Sequence, residues 1–237
     1  MGKGKPNTTS APEPPSAARP ATKAVRKRAP GRRPTADAVD LRGQLLDAAV
    51  ACFAERGIAA SSLRDIARRA GVTPALVHYY FGDKTQLQQA VVEERLWPVI
   101  TGVLAGLQDA KGDVGALVTA FVSGLVKAVA QHPWLPTLWV REILCEGGAL
   151  REVLIGRVGP LLPRVVVEHF TMAQQAGRLN PQLDPRLMMV SMVGLTMFPL
   201  ASAPIWQQLF GMEELDGAAL QQHTLALLMR GLELGND

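Results

Sequence analysis

The chain has little of what most catalysts and metal proteins are built from. Its 237 residues include two cysteines, four histidines and only 5% aromatics. Cys52 and Cys145 lack metal-ligand spacing, and His78, His132, His169 and His223 fall into no HExxH or related pattern. Glycine-rich phosphate loops of the Walker or GxGxxG kind are missing, and no serine, histidine and aspartate stand in an arrangement that suggests nucleophilic catalysis. Paired strands with hairpin turns are not discernible either. The expectation is an all-α protein that is not an enzyme and needs no metal and no cofactor. No apolar core follows the basic residues near the start, which argues against a secretory signal. Low cysteine usage fits a reducing, cytoplasmic setting.

Long hydrophobic runs are scarce, with one exception. Leu187 to Ile205 is long enough to span a membrane, but Pro199 and Pro204 interrupt it, and Ser191, Gly194, Thr196 and Ser202 give it a small or polar side. The reading is a core or subunit-interface helix, with no membrane partner.

Acidic residues are nearly absent from the first segment, residues 1–38. It carries Lys3, Lys5, Arg19, Lys23, Arg26, Lys27, Arg28, Arg32 and Arg33 against Glu13 and Asp37, and it has no apolar periodicity. Such a stretch cannot bury enough surface to fold alone, so it reads as a disordered basic arm. The formal charge of +4 sits there. Two roles stay open: an arm that tracks phosphates or enters the minor groove, with Arg32 and Arg33 nearest the fold, or a solvated tail.

The chain is organised around SSLRDIARRAGVTPALVHYYFGDKTQL, residues 61–87. Ser62 and Asp65 have capping-box spacing at the start of a short helix, with Ser61 as the other possible cap. Leu63, Ile66, Ala67 and Ala70 share one face of that helix, and Arg64, Arg68 and Arg69 face away. Gly71 suits a left-handed helix end. Thr73 and Pro74 then form a cap followed by proline at the first helical position. Helix, three-residue turn, helix is the geometry that sets a second helix in the DNA major groove. Asp83 and Gln86 resemble a capping box for the next helix.

These residues resemble the DNA-binding domain of TetR-family transcriptional regulators. The likeness runs from Leu45-Leu46-Asp47-Ala48-Ala49 and Phe53-Ala54-Glu55-Arg56-Gly57 through Asp65-Ile66-Ala67, Ala70-Gly71-Val72-Thr73 and Tyr80-Phe81-Gly82 to Lys84. It implies a three-helix helix-turn-helix domain over 39–84, followed by an all-helical effector-binding and dimerisation domain over 85–237. The DNA-facing candidates are Arg32, Arg33, Arg42, Ser61, Ser62, Thr73, Pro74, Ala75, Leu76, His78, Tyr79 and Lys84. The resemblance implies that positions 73 to 76 and 79 lie nearest the groove and backbone, and that Lys84 meets a phosphate. The sequence departs from the commonest family pattern at Pro74-Ala75-Leu76, which offers apolar contact but no hydrogen bond to a base edge. Base reading then falls on Thr73, His78 or Tyr79, on the arm, or on DNA shape.

Beyond the helix-turn-helix, apolar patterning predicts helices over about 85–107 with a kink at Pro98, 114–131, 135–146, 151–176, 184–199 and 217–234. Phe121, Trp134, Leu138, Trp139, Val166, Phe170, Met188 and Met192 are candidates for an apolar effector pocket. Arg141, Glu142 and His169 are polar groups placed to orient a ligand or simply to sit at the surface. The family resemblance implies a homodimer through helices 184–199 and 217–234, a near-palindromic double-stranded operator, and a repressor released by a small hydrophobic effector. The other reading is a helix-turn-helix protein without an effector, controlled by a partner protein or constitutive.

Overall fold

A computed structural model describes Gly2, residues 36–107, Ala110, 112–211 and 216–233. Arg32 and Arg33 lie outside these residues. Among the described residues the chain is helical throughout, with no strand.

Helix α1 (Ala36–Arg56) begins three residues earlier than the sequence pattern predicts. It carries the inner stripe Leu45, Ala49 and Phe53, all sealed from solvent. Helices α2 (Leu63–Arg69) and α3 (Pro74–Phe81) close over that stripe with Ile66, Ala67, Val77 and Phe81. Local chemistry sets their ends. The Ser62 hydroxyl accepts the Asp65 N–H at 3.1 Å, and the Asp65 carboxylate accepts the Ser62 N–H at 3.2 Å. Gly71 turns the chain at φ +69°, a conformation that L side chains rarely adopt. Pro74 then starts α3 where its missing N–H costs nothing.

Helix α4 (Lys84–Val91) is capped reciprocally by Asp83 and Gln86, as the spacing predicts. It runs into a π-helical segment, Val92–Leu96, and continues as α5 (Trp97–Leu107). The expected kink at Pro98 thus takes the form of a wide turn just before it. A proline at 98 has no N–H for the Glu94 carbonyl and crowds it, and the Trp97 N–H reaches back to Val92 instead. Two more π segments follow, Val140–Leu144 after α7 (Leu135–Trp139) and Leu154–Val158 after the single turn α8 (Arg151–Val153).

The remaining helices are α6 (Val114–Gln131), α9 (Leu162–Gln175), α10 (Pro185–Ala201), α11 (Ala203–Phe210) and α12 (Gly217–Leu232). The long apolar run bends by 67° between α10 and α11. Among the described residues α6 alone is a single helix long and apolar enough to cross a membrane, and it packs Val118, Phe121 and Val122 into the core.

The packing does not divide where a boundary at 84–85 would. One apolar cluster runs from Leu45, Phe53 and Val77 through Leu87 and Leu96 to Leu135, Leu138, Ile143 and Met197. Charge reinforces the same junction. Along the first π segment Glu93 pairs with Arg157, Glu94 with Arg42, and Arg95 with Asp47. Three successive side chains therefore hold three different partners, two on α1 and one on the third π segment.

Candidate nucleic-acid interface and ligand cavity

The outer face of α3 is where the helix-turn-helix meets solvent. Thr73, Pro74, Ala75, His78 and Tyr79 are exposed, Leu76 is half-buried, and Val77 and Phe81 point inward. Tyr79 is 80% exposed and meets Tyr80 edge-to-face at 5.4 Å. A large aromatic standing in water on the second helix is suited to contacting a partner. His78 turns its Nδ1 to the Gly82 carbonyl at 2.6 Å, which fixes the ring against the end of α3. Thr73 caps α3 without a side-chain hydrogen bond, so its hydroxyl is not committed to the cap.

Four other sequence candidates have structural duties. Ser61 is 1% exposed, and its hydroxyl donates to the carbonyls of Gly57 at 2.7 Å and Cys52 at 3.2 Å. It closes the C-terminal end of α1 from inside, so as a surface contact the expectation for Ser61 is corrected. Ser62 is exposed, with its hydroxyl engaged in the α2 cap. Arg42 pairs with Glu94 and lays its guanidinium 4.9 Å over the Phe81 ring, bracing the recognition helix against α4's extension. Lys84 stretches its Nζ to the Ala59 carbonyl at 2.8 Å, across the base of α2.

Acidic partners neutralise most of the arginines around α2. Asp65 takes Arg56 and Arg68, and Glu55 takes Arg69. The Asp65 carboxyl is held below the usual carboxylate range, first by the Ser62 hydrogen bonds and then by these cations. Arg64, exposed in the first turn of α2, pairs with no carboxylate among the described residues. The sequence placed it on the outer face without singling it out. Its position one turn into a helix that flanks the recognition helix was the available signal.

A cavity of about 250 Å³ lies among the helices that follow the helix-turn-helix. Its walls come from α5 (Val99, Ile100, Val103), α6 (Phe121), α7 (Leu138, Trp139) and α10 (Met189, Val193, Met197). Among the described residues no charged or hydroxyl side chain lines it, and the Trp139 indole is the one lining side chain with a polar hydrogen. Three of the eleven pocket candidates, Phe121, Leu138 and Trp139, are therefore on its wall.

The other eight are elsewhere, with Glu142 buried against the Ile58 amide. Val166, Phe170, Met188 and Met192 are buried in the adjacent core formed with α6 and α12. Trp134 is half-buried beside His132, Arg141 is exposed, and His169 hydrogen-bonds through Nδ1 to the Val165 carbonyl at 2.8 Å. On α10 the pocket face is Met189, Val193 and Met197, one residue around from the expected Met188 and Met192. One residue is about 100° of helix, enough to move a side chain from cavity wall to core. A wider groove of about 450 Å³ shares Trp139, Met189, Val193 and Met197 with the cavity and opens along Val140, Val190 and Phe198.

A capped helix-turn-helix on a three-helix core, continued by an all-helical half with an apolar cavity, defines an all-helical protein of the helix-turn-helix class. Residues 45–91 match the family described as "Bacterial regulatory proteins, tetR family". Over these residues the chain is similar to the DNA-binding domain of the TetR family of helix-turn-helix regulators. It is 37% identical over 68 residues to the HTH-type transcriptional regulator SrpR of Pseudomonas putida, covering 29% of this chain and 32% of that protein. A longer similarity, 29% identity over 175 residues, covers 69% of this chain and 76% of the "Probable acrEF/envCD operon repressor" of Escherichia coli K12. Against the first few curated relatives the matched region spans only 30 to 51% of their length. Among solved structures, the ketosteroid transcriptional regulator KstR2 of Mycobacterium tuberculosis shares the fold, with a TM-score of 0.65 at 20% identity over 82% of this chain and 95% of that one.

Proposed function

We propose that the protein is a sequence-specific DNA-binding transcriptional regulator, a repressor released from a near-palindromic operator by a small, uncharged, largely hydrophobic molecule. The observation that carries this reading is the cavity, lined without a charged or hydroxyl side chain and roofed by residues of the same apolar cluster that underlies α1, α2 and α3. A ligand whose grip is apolar contact alone needs such a wall, and a rigid shared core offers a way to pass its presence on. Repression follows from the relative named as an operon repressor, whose similarity reaches into the second half of this chain.

Dimerisation would bring two α3 helices onto successive major grooves. Exposed Leu187, Val190 and Phe198 on α10 and Leu227 on α12 form the apolar surface a second copy would cover. The place of action would be the cytoplasm, where the operator is. Selection of bound sequences from random DNA at near-physiological salt tests the reading: an enriched palindrome supports a dimeric sequence reader, and salt-sensitive binding without enrichment overturns it. In the alternative, where a partner protein or nothing controls DNA binding, a thermal-shift screen of apolar compounds would leave the melting temperature unmoved.

A further inference from the structure

Glu142 is 5% exposed, and its two carboxylate oxygens bond to different parts of the molecule. One accepts the Ile58 N–H at 2.8 Å, in the turn that joins α1 to α2. The other accepts the Ala149 N–H at 3.1 Å, in the loop that follows the second π segment. The surroundings are built to the carboxylate's size. A Cβ at Gly57 would stand 3.1 Å from the first oxygen, and a Cβ at Gly148 would collide with the Glu142 carbonyl. That carbonyl accepts the Leu150 N–H at 3.0 Å, while Arg151 donates to the carbonyls of Ile143, Leu144 and Cys145. The Glu142 backbone is therefore pinned on its loop side.

Its neighbours face the other way. Trp139, three residues before, and Ile143, one residue after, are both on the cavity wall. Buried carboxylates are costly, and this one is retained with backbone donors and no cation within ion-pair distance among the described residues. A leucine would fill the space without that cost, but it would leave the Ile58 N–H buried and unpaired.

We infer that Glu142 is the positioning residue that links the ligand cavity to the helix-turn-helix: displacement of Trp139 and Ile143 by an occupant moves the Glu142 carboxylate, and with it the Ile58 turn from which α2 is launched. This rests on the ligand-responsive reading above. The π segment suits the role, because it carries Glu142, bonded to the Ile58 amide, and Ile143, on the cavity wall, as successive residues. Ile58 is itself buried in the shared core, so its amide cannot shift without shifting the turn between Gly57 and Ser62.

The test follows the Ile58 backbone amide by NMR in the full-length protein, with N-phenyl-1-naphthylamine as an uncharged apolar probe. Val103→Trp is run in parallel, to fill the cavity without any ligand. The expected result is that probe or tryptophan moves the Ile58 resonance, and that Glu142→Gln reduces this response at least about threefold while leaving probe affinity within about twofold of the parent. A filled cavity with an unmoved Ile58 amide overturns the link, as does an equal response in Glu142→Gln. Operator affinity with and without probe is read separately: a moving amide with unchanged operator affinity would overturn the ligand-responsive reading and leave the link standing.

Discussion

Glu93 and Arg157, 64 residues apart in sequence, meet in a two-pronged ion pair at 2.5 and 3.2 Å. The same guanidinium lies 4.2 Å above the Trp97 ring. One arginine of the third π segment thus holds both an anion of the first π segment and the aromatic ring that starts α5, beside the Arg42–Glu94 and Arg95–Asp47 pairs.

This pairing holds the Glu93 carboxyl below its ordinary value of 4.5, chiefly through the hydrogen bond from Arg157. A depressed acid contributes stability above the ordinary value and loses it as pH falls through the lowered folded value. Removing the cation in Arg157→Ala should return Glu93 toward 4.5, read by NMR titration of its side-chain carbonyl. Because both groups are exposed, thermal stability at neutral pH should change little. An unmoved Glu93 titration would show that the pair does not persist in solution.

Ser61→Ala separates support from recognition. The hydroxyl is buried and donates to two carbonyls, so its loss should cost about 1 kcal/mol in urea denaturation. Sequence preference in a DNA-selection experiment should stay as in the parent. An altered preference would return Ser61 to the DNA-contacting set.

Lys84→Ala should weaken binding to all DNA sequences alike. The side chain now reaches the Ala59 carbonyl, where a phosphate could replace the weaker oxygen acceptor. The slope of log affinity against log salt should fall by roughly one counterion per protomer. Tyr79→Ala, on the exposed face of α3, should instead change which sequences are enriched.

Phe198→Asp tests the second copy. The ring is 71% exposed beside Val190 and belongs to the surface assigned to dimerisation. Sedimentation velocity at micromolar concentration should show a dimer for the parent chain and a monomer for the variant. A monomeric parent would exclude the assembly altogether.

What could be read from the sequence was chiefly what neighbouring residues decide among themselves. Ser62 with Asp65, Asp83 with Gln86, and Pro74 after Thr73 all act within one helical turn, and each was legible before any fold was known. Where the outcome depends on distant partners, the pattern was silent. Arg42 looked like a free cation because Glu94 and Phe81 are remote in sequence. Along α10, apolar residues occur almost all round the helix, so hydrophobic spacing alone could not choose Met189 and Val193 over Met188 and Met192 as pocket face. Glu142 read as a polar group near an apolar segment, whereas its partner, the Ile58 amide, lies 84 residues earlier.

The apolar cluster that begins at Leu45 and ends at Met197 makes α1 to α4 and α7 one cooperative body rather than separate parts. Heat should melt α1 to α3 together with α7, in one transition, because both are sealed into the same apolar cluster. A molecule lodged among Val99, Val103 and Val193 would then raise the melting temperature of the DNA-reading helices, which it never touches. The same molecule would stabilise the fold while loosening its grip on the operator, so that resistance to heat and affinity for DNA move in opposite directions.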